Sequence, residues 1–458
     1  MSLEAVMGSG AAAAGHWVAV IGGATAGAEV AAHLADKQVN VVVFDQNPRP
    51  YGKIEDGLPR WHEALRKKEY HLIDDKLTRP RVHYVPLCKI GRDVDFDDLT
   101  DRWGFSVVVL ACGAWRDRTL PLPEAARFVG KGLVYQNPFV VAFNHAEAPG
   151  QPGPPLADGA LVIGGGLAAI DVAKILMLET TRRALALQGV DAPLVELEHK
   201  GIPAFLTAHG LQFADLGLRA CTIVYRRREE DMPLVEIQDG ADAAQIDKTQ
   251  KTRLRILHHA QEKFLFRVQP LALAEAILPD EDGHVRALRI RRAKAKDHDT
   301  LTPTDDLFDM PTTLIVSAIG SVPEPIKGVP LRGELFDFSD WHLGRLASHS
   351  NVFSVGNVVT GRGNIAASRK HAREISESAV AAFLGLNADR AAESEVAFQL
   401  SAPARSQAQN VAHAVAIQLE TQVPPASSTL LTRVHALQAR VGYTGDYAAW
   451  IAAHPPRA

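Results

Sequence analysis

Cysteine and long apolar runs are both scarce in this sequence. The 3 cysteines, Cys88, Cys112 and Cys221, are far apart, so they form no recognisable C-x-x-C redox pair, zinc-ligand spacing or disulfide framework. No stretch of about 18 apolar residues, the length that a membrane-spanning helix needs, is present. The first residues also lack the basic region and apolar core of a secretion signal. We therefore expect a soluble protein in a reducing cytoplasm.

A large excess of charge of either sign is absent as well. The formal net charge is -4 and the pI is near 6.5, so the chain as a whole has no attraction to nucleic acid or to an anionic membrane. Apolar residues make up 47% and charged residues 22% of the 458 residues, which is typical of a globular protein. The length favours two or three domains.

A strand, a glycine turn, a helix and a second strand follow one another near the start of the chain. The apolar run at 17–21 leads into an alanine-rich helical segment at 28–34, and a β-branched run at 39–44 comes next. A further apolar run at 107–111 ends in the small residues at 112–114. This succession is typical of a doubly wound α/β domain.

The first glycine turn has the pattern of a dinucleotide-binding site. In IGGATAGAEVA, at 21–31, Gly22 permits a tight turn, Ala24 keeps the backbone close to a pyrophosphate, and Gly27 lets helix and strand pack closely. Asp45 ends the second strand 23 residues after Gly22 (45 minus 22), near the position of a carboxylate that binds ribose hydroxyls. Because alanine replaces the middle glycine, an ordinary turn and a solvated Asp45 are the alternative.

A second α/β pattern begins after the Pro- and Gly-rich segment at 149–155, which favours a crossing between domains. The predicted elements are a strand at 161–163, a helix at 167–178, strands at 221–225 and 314–318, and a hairpin turn at Asp282-Gly283. A last buried strand is expected at 351–355, with a long helix at 365–384 that returns to the first domain.

The second glycine turn is the better formed of the two. In VIGGGLAAIDVA, at 162–173, Gly164, Gly166 and Ala169 match G-x-G-x-x-A between a strand and a helix. Leu167 and Ala168, at the start of that helix, are further candidate cofactor contacts. Two such patterns in one chain predict two bound dinucleotides.

Basic residues end the second strand of this unit. Tyr225 is followed by Arg226, Arg227 and Arg228, and guanidinium groups match a phosphate, which a carboxylate would repel. We therefore predict that Arg226 and Arg227 favour NADP(H) over NAD(H). The alternative is a solvated strand end whose arginines pair with the acidic residues at 229–231.

Three segments resemble a known flavoprotein group. FDQNPRPYGKIEDGLPRWH, at 44–62, is similar to the FAD segment of adrenodoxin reductase and its bacterial ferredoxin-NADP reductase relatives, with matches at Asp45, Pro48, Pro50, Tyr51, Gly52, Gly57 and His62. YRRREEDMP, at 225–233, resembles the glutamate synthase small subunit of the same group. SVGNVVTGRGNIAASRKHA, at 354–372, resembles the group's C-terminal flavin motif. Together the resemblance covers about residues 15–385.

The resemblance implies the positions of the flavin contacts. Those expected in the first half of the chain are Gly52, Lys53, His62 and Gly113. Gly356 and Asn357 are expected beside the ribityl chain, although many relatives carry Asp in place of Asn357. The group also implies that Gly363, Asn364 and Ile365 present backbone amides near the pyrimidine edge, where they would stabilise the negative charge of the reduced flavin.

Two further side chains have competing interpretations. His62 is expected near the flavin, but a histidine beside Trp61 is as often a packed structural residue. Glu236 could stand near the nicotinamide or on a solvated helix. Neither is needed as an acid or base, because hydride transfer is chemistry of the cofactors, and the protein supplies alignment.

The predicted architecture is an α/β fold of two Rossmann-like dinucleotide-binding domains, with the NADP domain inserted into a discontinuous FAD domain. We expect the FAD domain at 15–148 and 326–386, the NADP domain at 149–325, and a peripheral helical tail at 387–458.

The predicted function is hydride transfer from NADPH to FAD, followed by electron transfer to a ferredoxin-like iron-sulfur protein. The surface that binds the iron-sulfur protein is expected on one of two basic clusters. One cluster is Arg60, Arg66, Lys67 and Lys68, and the other is Arg369, Lys370 and Arg373. The alternative is that both clusters are ordinary solvated helix faces. Alternatives are a reductase module of a larger complex, as in glutamate synthase, a non-catalytic nucleotide-binding assembly protein, and an oxidase of an organic substrate.

Overall fold

Two compact units make up the chain in a computed structural model that describes residues 15–146, 151–237, 240–295, 300–361, 364–384, 386 and 427–456. The first unit contains Met1–Glu55, Ala64–Trp115 and Val322–Ala458, and the second contains Asp56–Glu63 and Arg116–Ser321. The second unit is therefore inserted into the sequence of the first.

The strands that form the main sheets are, in chain order, β1 (Trp17–Ile21), β2 (Asn40–Phe44), β3 (Val82–Val85), β4 (Val107–Leu110), β5 (Leu133–Tyr135), β6 (Leu161–Ile163), β7 (Thr222–Val224), β8 (Arg267–Gln269), β9 (Ala272–Pro279), β10 (Val285–Ala295), β11 (Leu301–Pro311), β12 (Ile315–Ser317), β13 (Phe338–Asp340), β14 (Arg345–Leu346) and β15 (Val352–Ser354).

The α-helices are α1 (Thr25–Asp36), α2 (Lys53–Asp56), α3 (Glu63–Leu77), α4 (Phe96–Asp101), α5 (Gln136–His145), α6 (Leu167–Leu187), α7 (Leu194–Lys200), α8 (Ile202–Ala208), α9 (Ala243–Phe264), α10 (Asn357–Thr360), α11 (Ile365–Ile375), α12 (Ala381–Phe383), α13 (Ser427–Arg440) and α14 (Tyr447–Ala453). A π-helical turn, Ser376–Val380, lies between α11 and α12, so the helix predicted at 365–384 is interrupted.

The first unit is built on a sheet of 7 strands in the order β13-β14-β15-β4-β1-β2-β3. The five strands from β15 to β3 are parallel. Alternate residues of β1 belong to different apolar clusters: Val18 and Val20 lie in one cluster, and Ala19 and Ile21 lie in the other. The sheet is thus covered on both faces, which is why its strands are continuous apolar runs.

The second unit contains a parallel sheet of 5 strands in the order β5-β12-β6-β7-β8 and a three-stranded antiparallel sheet, β9-β10-β11. Val162 of β6 enters one apolar cluster, and its neighbours Leu161 and Ile163 enter another. The predicted hairpin turn is present, because Asp282-Gly283 joins the antiparallel strands β9 and β10 and Gly283 has φ +79°. The α/β fold class that the sequence predicts is confirmed.

The division between the units differs from the predicted domain bounds. The first crossing, predicted near residue 149, lies at 115/116, because β5 pairs with β12 in the second unit's sheet. The second crossing, predicted near 326, lies at 321/322. Residues 147–150, which include the first two residues of the predicted crossing segment at 149–155, lie outside the described part of the chain.

The C-terminal helices α13 and α14 belong to the first unit. Leu430 and Val434 are buried in one of its apolar clusters, and Tyr447 and Trp450 in the other. Residues 427–456 are therefore integral to this unit, where we expected a peripheral tail. The preceding residues, 387–426, lie outside the described chain. No helix among the described residues has the length and apolar character to span a membrane.

Candidate dinucleotide sites

The first glycine turn joins the carboxyl end of β1 to the N-terminus of α1. Gly22 has φ +100°, and a Cβ atom there would lie 2.6 Å from the carbonyl oxygen of Ala111. A Cβ atom on Gly27 would lie 1.8 Å from the carbonyl oxygen of Gly22, so only glycine allows α1 to pack this closely. No side chain caps α1, and its first amides are thus suited to an anion such as a pyrophosphate.

A cavity opens beside this turn, at the carboxyl ends of β1, β2 and β4. Its empty volume is about 650 Å³, a figure that includes the solvent at its open mouth. The lining includes four of the residues predicted to bind FAD, namely Gly22, Ala24, Asp45 and Gly52. The fold therefore brings the first glycine turn, with Gly22 and Ala24, next to the segment after β2, with Asp45 and Gly52. In the sequence, only the spacing between the two segments connects them.

Asp45 is held at the cavity by the backbone. Its Oδ2 accepts a hydrogen bond from the amide of Gly23 at 2.8 Å, and its Oδ1 accepts one from the amide of Asn47 at 2.9 Å. Burial is the main influence on this carboxyl and raises its pKa to about 6, against the lowering effect of those two amides. Each carboxylate oxygen can accept a further hydrogen bond, so Asp45 fits the role of binding ribose hydroxyls.

Gly356 brings the C-terminal motif to the same glycine turn. It has φ +71°, and a Cβ atom there would lie 2.9 Å from the Cβ of Ala26 in α1. The amide of Gly356 donates to Nδ1 of His371 at 3.0 Å, and burial lowers the pKa of His371, which favours the neutral ring that can accept this bond. His371 lies in the quoted motif, but its role is apparent only from the contact.

Asn357 has an unsatisfied acceptor. Its Oδ1 is buried and has no hydrogen-bond partner among the described residues. A buried acceptor without a partner costs about 1–3 kcal/mol, and a ribityl hydroxyl is a donor that would satisfy it. Together with the close-fitting glycine turn and the Asp45 carboxyl, this oxygen shows that the residues present fit FAD.

The amides predicted near the flavin ring lie at the start of α11. Asn364 caps this helix, since its side chain accepts from the amide of Ala367 at 2.6 Å. The cap leaves the amides of Ile365 and Ala366 at the helix N-terminus, where a negative charge is stabilised. Gly363, the third residue of the prediction, lies outside the described residues.

Trp115 is a cavity residue that sequence reasoning missed. It lines the cavity with Gly52, and Nζ of Lys53 lies 5.5 Å from the centroid of its ring. Gly113 has φ +69°, and a Cβ atom there would come within 3.9 Å of the Trp115 indole nitrogen. The only signal in the sequence was its position two residues after Gly113, at the end of the small-residue turn that follows β4.

The second glycine turn joins β6 to α6 in the second unit. A Cβ atom on Gly164 would lie 2.4 Å from the carbonyl oxygen of Ala318, and one on Gly165 would lie 2.2 Å from the Tyr225 ring. A Cβ atom on Gly166 would meet nothing within 4 Å, and no side chain caps α6. The turn is therefore closed on its inner side and open at Gly166, as an approaching pyrophosphate requires.

Leu167 and Ala168 form the first turn of α6. Leu167 is 51% exposed despite its apolar side chain, and Ala168 is half-buried. Both residues lie in the uncapped first turn of α6, and their contact with a cofactor stays a prediction.

The arginines after β7 have different environments. Arg228 is bound to Asp231 through Nε at 2.7 Å and through Nη2 at 3.1 Å, and it also contacts Glu230. The alternative of an internally paired strand end therefore applies to Arg228. Arg226 is exposed and Arg227 is half-buried, which makes Arg226 the stronger candidate for a phosphate contact.

His62 and Glu236 both belong to the second unit. The ring of His62 lies 5.9 Å from the buried ring of Trp61, which itself packs against Phe143. Glu236 is exposed in a segment without regular structure, so the helix considered for it is not present. Neither residue shares the cavity in which Asp45 and Gly52 meet, and their predicted roles stay predictions.

Comparison with known proteins gives consistent results. Residues 16–210 match the family described as pyridine nucleotide-disulphide oxidoreductase. The NADPH:adrenodoxin oxidoreductase of Arabidopsis thaliana is 25% identical over 73% of this chain and 73% of its own length. The NADPH-ferredoxin reductase FprA of Mycobacterium tuberculosis is 25% identical over 80% of this chain and 83% of its own length.

The fold is also similar to a solved structure of FprA in complex with NADPH, with a TM-score of 0.61, 20% identity, and coverage of 88% of this chain and 90% of that chain. The glutamate synthase small chain of the same organism is 30% identical, over 33% of this chain and 31% of its own length. The predicted group, enzyme class and cofactors are confirmed. The chain is thus an FAD- and NADP(H)-dependent oxidoreductase whose residues 16–210 match the pyridine nucleotide-disulphide oxidoreductase model and whose sequence is similar to adrenodoxin reductase and FprA.

Proposed function

We propose that the protein takes hydride from NADPH onto FAD and passes the electrons to a ferredoxin-like iron-sulfur protein. The observation that carries this proposal is the pair of uncapped helix N-termini, α1 beside a buried carboxyl and α6 in the unit that carries exposed Arg226. An acid suited to ribose at one turn and a base suited to phosphate near the other support a model with FAD in the first unit and NADPH in the second. The printed names of the relatives support the ferredoxin-type acceptor.

The residues of the first unit would bind and orient FAD, which when bound supplies both hydride acceptance and electron donation. The amides of α1 bind the pyrophosphate, Asp45 binds the ribose, and the oxygen of Asn357 accepts from the ribityl chain. The N-terminus of α11, at Ile365, stabilises negative charge on the ring. In the second unit, α6 binds the nicotinamide dinucleotide, and Arg226 binds its additional phosphate.

A thiol relay is a poor alternative for the second half of the reaction. Burial raises the pKa of Cys88 and of Cys112 to about 12, and it also raises the pKa of Cys221. The thiolate is the nucleophilic form, so these free cysteines are unsuited to exchange at neutral pH. Free cysteines also support the cytoplasmic location that forms part of this proposal.

The predicted acceptor surface must be reduced to fewer residues. Arg66 is only 4% exposed and donates to the Glu55 carbonyl and the Tyr70 hydroxyl. Arg60 belongs to the second unit, where it contacts Glu179 at 3.5 Å. Arg369 is bound to Glu69. These three arginines are engaged within the fold, so they are weak candidates for binding a partner.

The ion pair between Arg369 of α11 and Glu69 of α3 nevertheless brings the two predicted clusters together in the first unit. Lys67 and Lys68 of α3 and Lys370 and Arg373 of α11 are exposed, and we name these four residues the basic surface. Arg373 keeps 62% of its side chain exposed while it is bound to Glu29. A surface of this sign would steer an acidic iron-sulfur protein to the flavin unit.

The acceptor half of the proposal is tested with a [2Fe-2S] ferredoxin as the probe. NADPH-dependent ferredoxin reduction is measured for the wild-type protein and for a variant with Lys67→Gln, Lys68→Gln and Lys370→Gln. We expect the KM for ferredoxin to rise about tenfold or more and its salt dependence to weaken. Turnover with ferricyanide should be unchanged, because a small acceptor needs no docking surface.

A matched control replaces two exposed lysines of the second unit, Lys248→Gln and Lys294→Gln, which should leave the KM for ferredoxin unchanged. Rapid NADPH-to-ferricyanide turnover with no ferredoxin reduction would contradict the acceptor but keep the flavin reductase. A protein that binds both nucleotides without any turnover would instead support the non-catalytic assembly function.

A reductase module of a larger complex is the second candidate. It is favoured by the 30% identity to the glutamate synthase small chain, a match that covers only about a third of either chain. This candidate predicts slow reduction of free ferredoxin and a stable complex with a larger enzyme. Copurification with such a partner, accompanied by NADPH oxidation that depends on the partner's substrates, would favour it over the ferredoxin reductase.

A further inference from the structure

Residues 427–456, here called the C-terminal segment, contact the loop that forms one wall of the FAD cavity. This loop, residues 45–52, is called the flavin loop; Asp45, Asn47 and Gly52 within it line the cavity. The contacts come from two aromatic side chains of α14, Tyr447 and Trp450. The inference that follows rests on the FAD site proposed above.

The first contact is made to the backbone of the flavin loop. The indole nitrogen of Trp450 donates to the carbonyl oxygen of Pro48 at 2.6 Å. The Trp450 ring is 8% exposed and packs at 5.5 Å, edge to face, against Tyr443. The buried Trp450 side chain thus binds the middle of the flavin loop, at a residue three positions after Asp45.

The second contact passes through a shared carboxylate. The Tyr447 hydroxyl donates to Oδ1 of Asp74 at 2.7 Å, and the Tyr51 hydroxyl donates to the same oxygen at 3.1 Å. Tyr51 is buried and its ring stacks on Tyr70 at 4.1 Å. Asp74 in α3 therefore connects the C-terminal segment to Tyr51, the residue directly before the cavity residue Gly52.

Gly52 makes this connection relevant to the cofactor. Its φ is +53°, and a Cβ atom there would lie 3.0 Å from the Cβ of Ala24 in the first glycine turn. A small movement of Tyr51 would therefore change the gap between the flavin loop and the pyrophosphate-binding turn. Tyr447 and Trp450 each fix one point of the loop, at Pro48 and, through Asp74, at Tyr51.

We propose that Tyr447 and Trp450 are positioning residues that hold the flavin loop against bound FAD, so that the C-terminal segment sets the rate at which FAD dissociates. Neither side chain lines the cavity, and both act through the loop. The proposal gives the C-terminal helices a role in cofactor retention in addition to their role in the apolar core.

The test uses the full-length holoprotein. Tyr447→Phe and Trp450→Phe each remove one donor and keep an aromatic ring. Tyr443→Phe is the matched control, because the Tyr443 hydroxyl has no hydrogen-bond partner among the described residues while its ring packs against Tyr84 and Trp450. FAD stoichiometry is measured first, and the dissociation rate of FAD is then followed by its fluorescence in the presence of an apoflavoprotein that traps free FAD.

We expect FAD to dissociate about 3- to 10-fold faster from Tyr447→Phe and Trp450→Phe than from the wild-type protein or Tyr443→Phe. The Tm of each apoprotein serves as the structural readout and should differ little from that of Tyr443→Phe. Tyr51→Phe approaches Asp74 from the loop side, so its effect and that of Tyr447→Phe should not be additive. It also provides a second variant if one in α14 fails to fold.

Equal FAD dissociation rates in the wild-type protein, Tyr447→Phe, Trp450→Phe and Tyr443→Phe would overturn the inference. A lowered Tm with an unchanged FAD dissociation rate would also overturn it, because that result indicates a purely structural role. A wild-type protein that binds no FAD would refute the proposed cofactor site and this inference with it. FAD-loaded variants with unchanged dissociation refute the inference alone.

Discussion

Replacing Asp45 by asparagine removes an acidic group from the wall of the proposed FAD cavity, where backbone amides bind both of its carboxylate oxygens. Its two oxygens accept from the amides of Gly23 and Asn47 at 2.8 and 2.9 Å. Asparagine keeps one acceptor but turns an NH2 group towards one of those amides, so two donors face each other. It also removes the charge that strengthens the hydrogen bonds to the ribose hydroxyls.

The expected loss of FAD affinity follows from these contacts. A hydrogen bond to a charged group contributes about 1.5–3 kcal/mol, so we expect the Kd for FAD to rise about 10- to 100-fold in Asp45→Asn. The assay is titration of the apoprotein with FAD at pH 7.5, with the quenching of flavin fluorescence as the signal. Asp75→Asn, at an exposed position of α3, is the matched control and should bind FAD as the wild-type protein does.

The pH dependence gives an independent check. Because burial raises the pKa of Asp45 to about 6 in the protein without FAD, a proton must leave when the carboxylate binds the ribose. We therefore expect FAD affinity to weaken below pH 6, by up to about tenfold per pH unit, and Asp45→Asn to lack this dependence. The same affinity for both proteins across pH 5 to 7.5 would refute the reasoning.

The stability of the apoprotein should increase as the pH falls, whereas the affinity for FAD should decrease. A folded-state pKa of about 6, above the ordinary 3.8, means that the folded chain binds a proton more tightly than the unfolded chain. The resulting stabilisation is complete below pH 3.8 and is lost as the pH rises through 6. Between pH 7.5 and 5, the free energy of unfolding should gain about 1 kcal/mol in the wild-type apoprotein relative to Asp45→Asn, as measured by urea unfolding.

Two further predictions concern the second unit. Arg226→Ala should raise the KM for NADPH about 10- to 100-fold and leave the KM for NADH unchanged. Arg228→Ala, which breaks the ion pair with Asp231, should lower the Tm without changing the ratio of the KM values for NADPH and NADH. Equal changes of both KM values in Arg226→Ala would contradict the assignment of Arg226 to the additional phosphate. Gly165→Ala would place a methyl group 2.2 Å from the Tyr225 ring. The rate of flavin reduction by NADPH, measured by stopped flow, should therefore fall at least tenfold while the FAD content stays unchanged. A wild-type rate would show that the turn accommodates the methyl group.

The local elements and the two glycine turns were predictable because their determinants are close in sequence. Apolar runs such as 17–21 fold as the buried strands of parallel sheets, and the hairpin at Asp282-Gly283 needs only a turn between two apolar segments. Gly27 could be assigned for the same reason, since the contact that requires glycine at position 27 is with residue 22 itself. Gly22 could be assigned from its turn, where its φ is +100°, but its close contact with Ala111 comes from a distant strand.

The division between the units and the state of the charged residues were decided by tertiary structure. Strand β5 lies before the predicted crossing, and only its pairing with β12, some 180 residues later in the chain (315 minus 133 is 182), assigns it to the second unit. Arg66 and Arg369 look like surface charges in sequence, but the fold pairs them with a backbone carbonyl and with Glu69.

The C-terminal segment shows the same limit most clearly. Its composition favoured a peripheral tail, because nothing within it reveals that Tyr447 meets Asp74 and Trp450 meets Pro48, partners that lie 373 and 402 residues earlier. The sequence by itself determined the strands, the turns and the cofactor chemistry, which depend on residues a few positions apart. Which side chains surround the cavity, which charges are neutralised and what holds the flavin loop are contacts between distant segments, and only the folded chain brings those together.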